Sequence, residues 1–138
     1  MKHYIEILRP FNCLIAAMGV FVGYVVSVGG NISTIPSQLF FAMASAFLIC
    51  GAGQAINDFF DAEIDKKAKP DRVIPRGDMG RRTAFFYSLA LFSLGVVLAY
   101  FITPVSFFIA GTFAVLLSMY SGFVQQYMEL TKLSKSRN

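Results

Sequence analysis

Charge is what this chain has least of. No Asp, Glu, Lys or Arg occurs from Pro10 to Asn57, and none from Thr83 to Met128. Charged side chains make up 14% of the 138 residues, where soluble domains carry about a quarter. Each uncharged run exceeds the roughly 20 apolar residues that one helix needs to cross hydrocarbon, and each suits two crossings. That pattern excludes an ordinary soluble domain. Tryptophan is absent and His3 is the only histidine, so histidine-based catalysis and histidine-rich metal sites have little to stand on. The two cysteines, Cys13 and Cys50, lie inside the apolar runs. They show neither metal-ligand spacing nor a disulfide framework and read as small packing residues. No internal repeat or low-complexity segment is visible.

The charges that are present sit in three places. Lys2 and Arg9 precede the first apolar run. Lys66, Lys67, Lys69, Arg72, Arg76, Arg81 and Arg82 lie between the runs. Lys132, Lys135 and Arg137 close the sequence. By the positive-inside rule both termini and the middle loop face the cytoplasm. The expectation is an all-α, multi-pass protein of the cell membrane with four transmembrane helices, at residues 10–28, 39–57, 84–102 and 105–123. The basic excess then reports topology, and a nucleic-acid partner is not expected. A cleaved signal peptide is disfavoured, because the first apolar stretch is long and another span follows it.

Along the chain, residues 1–9 form a short amphipathic start, and Pro10 suits the first turn of a helix. Glycines and Pro36 punctuate an uncharged turn over 29–38, and Thr103-Pro104 marks the second turn on that side. Residues 66–82 read as a polar loop with Pro70, Pro75, Gly77 and Gly80, and residues 124–138 as a polar tail. Gly19 with Gly23, Ala42 with Ala46, and the run Gly51-Ala52-Gly53 make small-residue faces. Such faces let helix backbones approach closely, within the chain or in a homodimer. The phenylalanines, 15 in number, face lipid or neighbouring helices, and some are placed to line an apolar tunnel.

The chemistry concentrates in Asn57-Asp58-Phe59-Phe60-Asp61-Ala62-Glu63-Ile64-Asp65, which holds four acidic residues of the chain's eight. On a helix, Asn57, Asp61 and Asp65 are spaced i, i+4 and share one face, with Asp58 close beside Asp61. Glu63 points elsewhere. Carboxylates so close must share protons or a cation. Magnesium takes one or two carboxylates together with water and substrate phosphates, which suits Asn57, Asp61 and Asp65. The spacing lacks the glycine turn of an EF-hand, and zinc would want His or Cys. Beyond the acids, Lys69, Arg72 and Arg76 offer cations, and arginine grips phosphate oxygens in pairs. Acids, metal and cations beside an apolar cavity fit a diphosphate on a hydrocarbon chain. The plainer alternative is a solvated helix end whose charges set topology, which is the favoured account of Lys66, Lys67, Arg81 and Arg82.

Asn57-Asp58-x-x-Asp61-x-x-x-Asp65, followed by Lys69-Pro-Asp-Arg72-Val-Ile-Pro75-Arg-Gly77, resembles the first aspartate-rich motif of the UbiA-type intramembrane prenyltransferases. The start, Leu8-Arg9-Pro10-Phe11-Asn12, is similar to that family's Leu-Arg-Pro-x-Asn. Both are most similar to the archaeal branch, the digeranylgeranylglyceryl phosphate synthases, over roughly residues 1–121. The resemblance implies a prenyltransferase that uses Mg²⁺ to move a prenyl group, geranylgeranyl in that branch, from its diphosphate to a lipid acceptor such as geranylgeranylglyceryl phosphate. The product belongs to ether-lipid biosynthesis. It further implies that Asp61 and Asp65 are catalytic and that Asn57, Asp61 and Asp65 hold the metal. Asn57, Asp58, Lys69, Arg72, Arg76, Arg9 and Asn12 would bind the diphosphate.

The likeness also has a gap. The family has more spans and a second aspartate-rich motif between later helices, and Thr83 to Asn138 contains no second acidic cluster. The expectation is therefore the amino-terminal half of a UbiA-type bundle over residues 1–123, a truncated product with little activity by itself. A second copy or a missing carboxy-terminal half would have to complete the site. A non-catalytic membrane subunit, a polyprenyl-diphosphate-binding protein and a small ion transporter using Asp58 and Asp61 are the competing expectations.

Overall fold

A computed structural model describes residues 2–31, 33 and 35–135, the side chains of 124–126 and 128–135 excepted. It contains five helices: α1 (Lys2–Leu8), α2 (Pro10–Ser27), α3 (Ser37–Ala68), α4 (Arg81–Tyr100) and α5 (Pro104–Lys135). No strand occurs among the described residues. Four helices are long and apolar enough to cross a membrane: α2, α3, α4 and the Pro104–Phe123 part of α5. The protein is an all-helical, multi-pass membrane protein.

The boundaries differ from expectation where polar residues are good helix formers. α3 carries the whole acidic motif on a helix, as expected, and runs on beyond Asp65 through Ala68. At about 1.5 Å per residue this rod is roughly 48 Å long, well beyond a hydrocarbon core of about 30 Å. Lys66 and Lys67 lie in its last turn, where cations complement the helix dipole. The loop expected over 66–82 is therefore shorter, since Lys66 to Ala68 end α3 and Arg81 and Arg82 begin α4. Likewise α5 continues past Phe123 to Lys135, so the segment read as a polar tail is helical over most of its length.

Between α1 and α2 the chain breaks at Arg9, which takes a left-handed conformation with φ 49° and ψ 68°. Pro10 follows, and the residue before a proline is sterically kept out of the right-handed helical region. The two helices thus cannot merge, and Arg9 leaves the helical path. At the opposite end, Gly29 and Gly30 have φ of 62° and 80° and close α2. Thr103 Oγ1 accepts from the Ser106 amide at 3.1 Å and opens α5.

α3 is the central element and packs on α1, α2, α4 and α5, whereas α2 packs on α1 and α3. Two glycines permit the closest approaches. A Cβ at Gly95 would lie 2.7 Å from Ile49 Cγ1, and one at Gly51 would lie 2.6 Å from Leu8 Cδ2. Gly19 and Gly23 have nothing within 4 Å, so that small-residue pair does not serve helix packing within the chain as expected. Cys13 is buried and donates to the Leu8 carbonyl at 3.0 Å, as a packing residue should. At the motif end, Ile7, Ala55, Val73, Met79 and Ala84 form one buried cluster. Val73 and Met79 belong to the connecting loop, so the loop is pinned down between α1, α3 and α4. Burying each such side chain is worth about 1.5–3 kcal/mol. That anchorage fixes what the neighbouring Arg72 can reach.

Candidate functional site

The last turns of α3 carry Asn57, Asp58, Asp61 and Asp65, and two other segments bring cations to them. Arg9, turned out of the helical path, donates from Nη2 to Asp58 Oδ1 at 2.6 Å. Arg72, next to buried Val73, donates from Nη1 to the same Asp58 oxygen at 3.2 Å and also to Asp65 Oδ2. Asp58 and Asp65 are each only 4% exposed. A carboxylate that deep costs several kcal/mol unless it is paired, and these two are paired. Asp61 is half-buried, and no hydrogen bond or ion pair reaches it among the described residues.

Two cavities flank this part of α3. A polar one of about 410 Å³ is lined by Glu6, Arg9, Asp58, Lys69, Asp71 and Arg72, among others. A mainly apolar one of about 580 Å³ begins at Asn57 and Gln54 and extends past Ile49 and Phe113 to Ile102 and Ser106, at the far end of the bundle. Asn57 and Asp58 are consecutive, so a polar chamber and a long apolar chamber lie on either side of one helical turn.

Not every expected site residue is gathered here. Lys69 lines the polar cavity. Arg76 is drawn away from the acids: it donates to Glu6 Oε2 and to the Asp71 carbonyl, both at 3.0 Å, and to Asp78. The hydrogen bonds to Glu6 and Asp78 raise its pKa further above the usual arginine value. Asn12 is exposed and lines neither cavity; its backbone amide caps onto the Arg9 carbonyl at 2.9 Å. Glu63 pairs with Lys66 on the exposed face, as its helix position implied. Arg81 stacks 4.7 Å above the Phe59 ring and donates to the Phe59 carbonyl, a structural role.

One participant was not among the expected site residues. The Ser121 hydroxyl, buried on α5, contacts Asn57 Oδ1 as well as the Leu117 carbonyl. A lone serine on an apolar helix gives no signal of a partner on another helix.

The donors on this face of α3 are all oxygens, the kind that hard divalent cations take. Among the described residues, no group of three or more His, Cys, Asp or Glu side chains is gathered to hold a metal. A cation here would need further ligands from a bound anion and water.

The match to the family model described as the UbiA prenyltransferase family extends over residues 16–131. The chain belongs to the UbiA prenyltransferase family. The digeranylgeranylglyceryl phosphate synthase of Thermococcus kodakarensis is 46% identical over 109 residues, covering 79% of this chain and 39% of that protein. The enzyme of the same name from Methanopyrus kandleri is 40% identical over 121 residues, covering 88% of this chain and 43% of its own length. A solved structure described as giving structural and mechanistic insights into the biosynthesis of digeranylgeranylglyceryl phosphate synthase in membranes aligns with a TM-score of 0.82 at 35% identity. That alignment covers 88% of this chain and 43% of the other. The chain thus spans less than half the length of these UbiA relatives.

Proposed function

We propose that this chain carries the donor-binding part of a prenyl transfer site. In this reading the diphosphate of an isoprenyl donor sits in the polar chamber and its hydrocarbon lies in the apolar one. The observation that carries the proposal is that consecutive residues of α3, Asn57 and Asp58, line an apolar and a polar chamber respectively. An amphiphile with a compact anionic head and a long apolar tail matches that pair of cavities in order and in polarity.

Asp61 and Asp65, with the Asn57 amide, are the residues that would hold Mg²⁺. When bound, the metal neutralises charge that develops on the departing diphosphate. Arg72 and Lys69 grip phosphate oxygens. Arg9 holds Asp58 in place at the lip of the pocket, and the apolar walls keep water from the reacting carbon. The acceptor is a lipid, with geranylgeranylglyceryl phosphate the leading candidate and geranylgeranyl diphosphate the leading donor, by analogy with the named relatives. The motif end faces the cytoplasm, by the distribution of basic residues. This stretch of chain binds donor and transfers it slowly or not at all by itself, which is also how a diphosphate-binding subunit behaves.

The test is binding of a non-hydrolysable geranylgeranyl diphosphate analogue to the chain in nanodiscs. Binding that needs a divalent cation and falls in Asp61→Asn supports the proposal. Binding that is indifferent to chelator and to that substitution overturns it. Turnover with an added lipid acceptor separates enzyme from binding subunit, and ion flux unaffected by the analogue would favour a transporter.

A further inference from the structure

We infer that Arg72 is a built-in counter-cation, and that a divalent cation enters this site only together with the polyphosphate that draws Arg72 away. The inference rests on the donor-site reading above and adds an order of assembly to it.

The geometry is specific. One guanidinium bridges Asp58 and Asp65, two turns apart on α3. It occupies an oxygen of Asp65 that a metal would need. Asp58 does not depend on Arg72, because Arg9 holds the same Oδ1 at 2.6 Å. When Arg72 leaves, Asp58 keeps a partner, and Asp65 is the carboxylate left in need of a cation. Asp65 is 4% exposed, so water does not replace that partner well.

The loop itself stays in place during this exchange, since buried Val73 and Met79 pin it. The movement is confined to the Arg72 side chain, whose guanidinium borders the same polar chamber as Lys69. A diphosphate in that chamber offers Arg72 a bidentate partner of higher charge. Asp65 is then vacated beside Asp61, and two carboxylates plus phosphate oxygens make a magnesium-type ligand set. A metal arriving without an anion must instead eject the guanidinium from two carboxylates and give it nothing in return. By linkage the coupling is reciprocal: metal strengthens anion binding by the factor by which the anion strengthens metal binding.

The experiment measures Mn²⁺ affinity by electron paramagnetic resonance on the full chain in nanodiscs, with no diphosphate present. Mn²⁺ takes the same oxygen ligands as Mg²⁺. Wild type is expected to bind weakly. Arg72→Gln should bind about tenfold more tightly, the equivalent of about 1.4 kcal/mol, and Asp61→Asn in the Arg72→Gln background should abolish the gain. Arg72→Lys guards against misfolding of the glutamine variant. It keeps the charge but reaches one carboxylate, so its affinity should fall between the two. Equal or weaker Mn²⁺ binding in both Arg72 variants, with wild-type binding still lost in Asp61→Asn, overturns the inference and leaves the donor site standing. No Asp61-dependent binding in any variant, with or without inorganic pyrophosphate, overturns both.

Discussion

Arg9 and Asp58 meet at 2.6 Å although 49 positions separate them in the chain. The contact ties the break between α1 and α2 to the acidic face of α3, and the left-handed turn at Arg9 aims the side chain there. Removing the guanidinium leaves Asp58 with Arg72 as its remaining partner. Arg9→Ala should destabilise the chain by about 1–3 kcal/mol, the usual cost of removing a partner from a buried charged group. Thermal unfolding in detergent measures it, and an unchanged midpoint would show the pair to be idle.

Asp61 is a different case. It is half-buried beside Asp65 and holds no structural bond among the described residues, so Asp61→Asn removes charge without stranding a partner. Stability should change by less than about 0.5 kcal/mol. Affinity for the geranylgeranyl diphosphate analogue in Mg²⁺ should nevertheless fall about tenfold or more, a loss of at least about 1.4 kcal/mol. Paired unfolding and binding titrations test this. A loss of both together would mark Asp61 as structural.

Arg76 should be dispensable for binding. Its bonds to Glu6, Asp78 and the Asp71 carbonyl hold it on the exposed side of the loop. Arg76→Ala should leave stability nearly unchanged, as for other exposed pairs. Diphosphate affinity should stay level while backbone amides of α1 exchange faster. A large loss of affinity would return Arg76 to the diphosphate site.

Gly95 and Gly19 make a matched pair of helix glycines. Gly95→Leu must push Ile49 aside and separate α4 from α3, costing about 1–3 kcal/mol from overpacking. Gly19→Ala meets nothing within 4 Å and should stabilise α2 by about 0.5–1 kcal/mol through propensity. Unfolding midpoints that move in opposite directions would bear this out. A destabilised Gly19→Ala would mean that another chain packs there.

The helices and the acidic motif were legible because both follow from local rules. Uncharged runs of a given length mark spans, and i, i+4 spacing marks a face. The helix carrying the acidic motif was legible through Asp65, and α3 runs only three residues further, through Ala68, because Lys and Ala favour helix. The division of labour among the arginines was out of reach. Arg72 and Arg76 are four residues apart in similar surroundings, and only the burial of Val73 and the position of Glu6 decide which one faces the acids. The Ser121 contact with Asn57 depends on how α5 lies against α3, which no spacing within either segment encodes.

α3 runs unbroken from Ser37 to Ala68, so its carboxylates ride on the same rod that crosses the bilayer. Their height above the acyl chains follows from how deeply that rod floats. A thicker bilayer draws Asp58 toward oil, and a thinner one lifts it into the headgroups, at a cost of fractions of a kcal/mol per Å. The host lipid is thereby a tuning parameter for the ionic surroundings of this site, adjustable without touching a codon.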